Sequence, residues 1–380
     1  MNFGDRSAMS AVMAVVQAEF RLDDVRLGML GSVFLWSYAL GSPIAGWLGD
    51  RWSRTQLVVG SLAVWSVVVA LTALAAGYPM LLLLRFALGA SECLFLPAAI
   101  ALIAAHHPVE TRARAMSLIT VGANGGMIAG GSLAGSFADH VSWRAGIFVL
   151  GLAGVALALC ARTALPKSVS AITDAPRQSA IAAVREVLGV PVYWLLLGEA
   201  LLSGVGVWIF FTWLPLYFRE SFGLSLGAAG FAGTSILQVS VVLGMFVGGW
   251  VSDLVAAKAP HRRLLLFSAG YLGAAPCLLL FLGRPSFTVV AVAVSAFSFL
   301  RGFAQSNERP TQCEVVDAAH RATGIGIMNA VATGAGGCGV LLAGMLKREI
   351  GLGGVFAGVS LCYVGAAVLL LFAFALRRRR

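Results

Sequence analysis

Charge is scarce in this sequence. Only 12% of its 380 residues are Asp, Glu, Lys or Arg, 59% are hydrophobic, and the mean hydropathy is +0.88. A soluble globule of this length needs far more polar surface, so the expected solvent is the bilayer. Paired cysteines are lacking as well. Cys93, Cys160, Cys277, Cys313, Cys338 and Cys362 stand singly, with no CxxC and no histidine at ligand spacing, which leaves helix packing as their expected role. Enzyme signatures are scarce: there is no HExxH and no Gly-rich phosphate loop ending in Lys-Ser or Lys-Thr. His106-His107 has no cysteine near it and is too sparse a ligand set, so no metal and no cofactor is expected. The net charge of +10 could suggest nucleic acid, but the basic residues form short clusters between apolar runs with no aromatic stripe among them. They read as topology signals. The first apolar stretch carries Asp5 and Arg6 and no small-residue cleavage site follows it, so insertion is expected to rest on the spans themselves.

Long apolar runs are what the chain does have. With about 20 residues needed to cross a hydrocarbon core of about 30 Å, it divides into twelve predicted spans: 1–19, 27–48, 56–76, 80–105, 115–137, 144–162, 191–218, 226–251, 264–282, 287–308, 322–346 and 354–376. One side of this arrangement collects Arg51, Arg54, Arg112, Arg114, the 162–185 segment, the 258–263 cluster, Arg309, Arg321 and the Arg377–Arg380 tail. The other holds only Arg21, Arg26, Arg144, Arg219, Arg284, Lys347 and Arg348. The richer side is expected in the cytoplasm with both termini, in an inner or plasma membrane. The polar interval from Thr163 to Val190, with Pro166, Asp174 and Pro176 and a short amphipathic run from Ser179 to Leu188, is the expected linker between halves at 1–162 and 191–380.

Internal repeats support that division. The charged hairpin Gly46-Trp47-Leu48-Gly49-Asp50-Arg51-Trp52-Ser53-Arg54 returns in weaker form as Gly249-Trp250-Val251-Ser252-Asp253, which lacks an arginine directly after the acid. Phe20-Arg21-Leu22 is echoed by Phe222-Gly223-Leu224, and Leu133-Ala134-Gly135 by Leu342-Ala343-Gly344. The halves therefore read as parallel copies.

Three arginines and several acids fall inside predicted spans, where an ionisable side chain costs several kcal/mol unless it is paired or meets water. Arg85 and Glu92 are seven residues apart, hence on one helical stripe but roughly 10 Å apart along it, too far to pair easily. Counting about 1.5 Å per residue puts Glu92 about 18 Å, Asp5 about 22 Å and Arg301 about 21 Å from the outer side. Asp5, Arg6, Arg85 and Glu92 can be either a proton-exchanging group or a permanently satisfied ion network. Arg6 and Arg301, one in each half, could clamp an anionic group, because guanidinium stays charged and binds carboxylate or phosphate bidentately. Arg301 could equally be paired structurally, for instance with Glu199. Asn124, Gln238, Gln305, Asn329 and Ser203 could orient a ligand or glue helices together. Trp36, Tyr38, Trp208, Phe210, Phe211 and Trp213 could line an amphiphile-accepting cavity or simply pack. Glu308 suits a gate or a surface ion pair better than a ligand.

The sequence resembles the major facilitator superfamily over its whole length. The marks are the Gly46–Arg54 hairpin with its Asp253 copy, Arg85-x-x-x-Gly89-x-x-Glu92, the glycine-rich fifth span and Trp143-Arg144. Asn2-Phe3-Gly4-Asp5-Arg6, Gly49–Arg54 and Phe211-Thr212-Trp213-Leu214-Pro215-Leu216-Tyr217 are similar to the anion:cation symporters and the bacterial spinster-like proteins. The resemblance implies an all-α fold of twelve transmembrane helices in two pseudo-symmetric halves. It also implies proton coupling through Asp5, Arg6 and Glu92, and gating by the hairpin, with Gly46, Asp50, Arg51, Arg54, Arg114 and Asp253 as gate residues. The expected function is proton-coupled movement of a small organic anion by a monomer. A spinster-like transporter of lysolipids or other amphiphiles is the alternative, and a non-transporting membrane sensor is the alternative of another class.

Overall fold

A computed structural model describes the chain except residues 50–51, 167–179, 257–258, 284, 318–319 and 379–380. All regular structure among the described residues is helical. The first helices are α1 (Asn2–Phe20), α2 (Asp24–Gly49), α3 (Arg54–Thr72), α4 (Tyr78–Glu92), α5 (Phe95–His106), α6 (Val109–His140) and α7 (Trp143–Ala164). They are followed by α8 (Ala180–Leu188), α9 (Pro191–Phe222), α10 (Leu226–Ala256), α11 (Arg263–Leu279), α12 (Phe287–Gln305), α13 (Glu308–Val315) and α14 (Arg321–Arg378). Among the described residues, eight helical segments are long and apolar enough to cross a membrane. Large apolar side chains such as Leu40, Leu83, Phe246 and Leu361 stay exposed along them, as expected where the surrounding medium is lipid.

One predicted span is not a single helix: residues 80–105 divide into α4 and α5 at Cys93-Leu94. The predicted span 287–308 is α12, which ends at Gln305, and α13 follows after a break at Ser306-Asn307. Proline explains both breaks. Pro97 and Pro310 lack an N–H for the carbonyls of Cys93 and Ser306, four residues back, and their rings crowd those carbonyls. In α14 the opposite happens, because the last two predicted spans run together and part only at Gly351, whose φ of 67° is left-handed. Serine starts several helices: Ser53, Ser142 and Ser286 accept the backbone N–H of Gln56, Ala145 and Val289.

The contacts define two compact units, residues 1–175 with 211–234, and residues 176–210 with 235–380. In the first, α1 packs on α6, α3 on α7 and α5, and α2 on α4. Lipid supplies no hydrophobic drive between helices, so close backbone approach and polar contacts must hold them. Gly130 of α6 lies against Gly4 of α1 so closely that a methyl group on it would overlap the Gly4 backbone. One end of this unit is pinned by Trp143-Arg144. Trp143 Nε1 donates to Glu19 Oε2 at 2.5 Å and Arg144 Nη2 to Glu19 Oε1 at 2.6 Å. Arg144 Nη1 also donates to the carbonyls of Ala73 and Ala75 at 2.7 and 2.9 Å, satisfying the open end of α3. In the second unit α11 packs on α12 and α14. Phe210 is its hub, stacked on Phe356 at 4.4 Å and Phe297 at 4.9 Å, with Phe281 edge-on at 5.8 Å.

Candidate functional site

In the first unit the intramembrane charges converge. Asp5, Arg6, Arg85 and Glu92 are all buried, with Glu92 fully out of solvent. Arg6 Nε donates to Glu92 Oε2 at 2.9 Å, so the two form a buried ion pair between α1 and α4. The Arg6 guanidinium carbon also lies 4.8, 4.9 and 4.7 Å from the ring centres of Phe3, Phe34 and Tyr38. Three ring faces thus cage one cation, each adding electrostatic attraction in a site from which water is excluded. Asp5 takes a different partner: Trp65 Nε1, from α3, donates to Asp5 Oδ2 at 3.1 Å.

Each acid keeps one spare oxygen. Asp5 Oδ1 and Glu92 Oε1 are buried without a hydrogen-bond partner among the described residues, and so is Arg85 Nε. Arg85 makes no ion pair among the described residues, yet it acts electrostatically on both acids. The expected separation of Arg85 from Glu92 along α4 thus stands alongside a cross-helix bond from Glu92 to Arg6. Trp65 and the ring cage escaped the sequence reading. A tryptophan in an apolar run signals an interface anchor as readily as a hydrogen-bond donor.

The second unit holds the remaining intramembrane arginine. Arg301 Nη1 donates to Gln305 Oε1 at 3.3 Å, one helical turn on, and its Nε is buried without a hydrogen-bond partner among the described residues. Glu199, the suggested partner of Arg301, instead accepts from the Tyr271 hydroxyl at 2.9 Å. Gln238 of α10 is buried, Trp208 of α9 is half-buried against Gly336, and Asn329 of α14 is exposed. In the first unit Asn124 of α6 donates to the Thr120 carbonyl at 2.8 Å, a bond within its own helix. Arg301 and Gln305 are thus two substrate candidates joined by a hydrogen bond.

Gate residues are described in part. Asp50 and Arg51 lie outside the described residues, and Gly46 is within α2. Arg54 Nη1 reaches the Ala101 carbonyl at 3.4 Å and Arg114 is exposed. Asp253 finds a cation despite lacking an adjacent arginine. Arg263, ten residues on, bonds Asp253 at 3.4 Å and Glu314 at 3.0 Å, and Arg377 joins the same Glu314 at 3.0 Å. Four helices, α10, α11, α13 and α14, are thereby tied at one end. A search for arginine directly after the acid passes over this pairing. Asp139, also unremarked in the sequence, accepts the backbone N–H groups of Leu226 at 2.9 Å and Gly227 at 2.7 Å, capping α10 from the end of α6. Among the described residues, no group of His, Cys, Asp or Glu could hold a metal ion.

Known proteins place this architecture. The family model for the Major Facilitator Superfamily matches residues 1–337. A probable anion transporter 4, chloroplastic, of Oryza sativa subsp. japonica is 25% identical over 96% of this chain and 64% of its own. The chain thus spans just under two thirds of that relative. A hexuronate transporter of Bacillus subtilis (strain 168) is 26% identical over 97% of this chain and 89% of its own. Among solved structures, an inward-facing, unoccupied bacterial homologue of the human lysosomal transporter Spinster superposes with a TM-score of 0.76 at 22% identity. That match covers 98% of this chain and 92% of the other, a likeness of fold. The relatives are transporters and not enzymes, and the chain belongs to the Major Facilitator Superfamily.

Proposed function

We propose that the protein is a proton-coupled secondary transporter of a small organic anion. It works by alternating access, with twelve spans in two six-helix halves, 1–162 and 191–380, joined by the 163–190 linker. Both termini lie in the cytoplasm and the gate is the Gly46–Arg54 hairpin with Asp253. The observation that carries this is the buried Arg6–Glu92 pair with Asp5 held beside it on Trp65.

The coupling follows from charge. Arg6 can face Glu92 or an incoming anion, and a carboxylate left alone in this dry site costs several kcal/mol. An anion that takes Arg6 therefore obliges Glu92 to accept a proton, and anion and proton bind together. Asp5, with a spare oxygen and only a neutral indole donor, is the second carrier, and Arg85 keeps the emptied site from collecting net negative charge. In the second unit, Arg301 with Gln305 is the other guanidinium proposed to meet substrate. The hexuronate and anion transporters among the relatives agree with an anionic substrate. An amphiphile-accepting cavity would need Trp213 at its wall, whereas Trp213 is fully buried, which favours the anion.

Protein in liposomes loaded with a pH-sensitive dye tests the proposal, using a hexuronate, D-glucarate and inorganic phosphate as probes. Anion-driven proton flux is expected in the wild type and is lost in Glu92→Gln and Asp5→Asn. Undiminished flux in both variants contradicts the coupling assignment.

A further inference from the structure

We propose that Glu199 is a second proton-binding site, located in the second unit and built independently of Asp5 and Glu92. Glu199 sits on α9 with 1% of its surface exposed. Its Oε1 accepts the Tyr271 hydroxyl at 2.9 Å, and its Oε2 is buried without a hydrogen-bond partner among the described residues. No ion pair to Glu199 occurs among those residues. The groups around it come from several elements. Ser203 lies one turn on along α9, with its hydroxyl on the Ala200 carbonyl. Tyr271 comes from α11 and Glu308 from α13, and Glu308 acts electrostatically on both Glu199 and Tyr271. From α14 comes Tyr363, whose ring lies 5.2 Å from that of Tyr271 and whose hydroxyl is buried without a hydrogen-bond partner among the described residues. From α12 comes Arg301, which acts on Tyr363 and spends its Nη1 on Gln305.

The sign of this surrounding decides the state of the acid. An ionised Glu199 would be a buried anion with only neutral hydroxyls, Tyr271 and Ser203, to bond it and a second anion, Glu308, in its field, a costly arrangement in a low-dielectric interior. With a proton on Oε2 the group is neutral, and Tyr271 still satisfies Oε1. The ligand is thus a single proton, held while Arg301 stays with Gln305 and released to water or to a base when a cation moves up to Glu199. That the proton contributes to transport rests on the proposed coupling; that it is bound does not.

Infrared spectroscopy of the purified full-length protein tests the binding directly. At neutral pH the wild type is expected to show a carbonyl-stretch band of a protonated carboxyl that disappears in Glu199→Gln and persists in Glu92→Gln. In Tyr271→Phe the same band should move to higher frequency, because its carbonyl loses a donor; this shift carries the test if Glu199→Gln does not fold. A band unchanged in both Glu199→Gln and Tyr271→Phe, or no such band in the wild type at neutral pH, overturns the proposal. Loss of anion-driven proton flux in liposomes bears on the transport reading alone: if Glu92→Gln leaves flux intact while the Glu199 band stands, the coupling reading fails and this site does not.

Discussion

The two units each place an arginine and a glutamate at their centres, and they treat the pair in opposite ways. In the first, Arg6 and Glu92 are in contact at 2.9 Å inside a cage of three rings. In the second, Arg301 turns to Gln305 and Glu199 to Tyr271, so cation and acid are separately capped by neutral partners. A contact pair is a closed arrangement that something must compete to open. Separated partners leave a guanidinium ready for an anion and a carboxyl ready for a proton. On the proposed coupling, the switch belongs to the first unit and the spare binding capacity to the second.

Breaking the contact pair should have the largest effect. Arg6→Gln strands Glu92 in a dry site and is expected to lower stability by about 3–5 kcal/mol. Adding Glu92→Gln to that variant should recover most of the loss in thermal unfolding. Failure of the double variant to recover would mean that Arg6 serves the cage and not the acid. Trp65→Phe removes the donor to Asp5 and is expected to cost about 1.5–3 kcal/mol, the range for a hydrogen bond to a charged group, read in the same assay. Asp139→Ala uncaps α10 and should cost about 1 kcal/mol while raising cysteine labelling near Leu226 from the expected outer side. Arg301→Ala should be the mildest for the fold, because it removes the cation together with its 3.3 Å bond and strands no buried acid. The same change should weaken binding of a hexuronate or D-glucarate in titration calorimetry, and unaltered affinity would remove Arg301 from the site.

How legible these features are in the sequence depends on contrast. Asp5, Arg6, Arg85, Glu92 and Arg301 stand out because each is a charge inside an apolar run, and all but Arg301 converge in the first unit. The partners are harder to see. Trp65 and Tyr271 look like packing aromatics until a carboxylate is found beside them, and Arg263 is far enough from Asp253 in sequence that only the fold joins them. Hydropathy alone smooths over the break at Cys93, since apolar residues continue through it, whereas the polar run from Gln305 to Gln312 ends the apolar stretch near Ser306. Pro97 and Pro310 were the available signal, because a proline acts on the carbonyl four residues back and so marks a break before itself.

The central claim is that an anion and Glu92 compete for Arg6, and proton uptake on binding measures this most directly. Calorimetric titration of a hexuronate or D-glucarate in buffers of different ionisation enthalpy yields the number of protons taken up with the anion. Uptake is expected in the wild type and is abolished or sharply reduced in Glu92→Gln, with binding retained. Binding with the same proton uptake in Glu92→Gln as in the wild type would contradict the account.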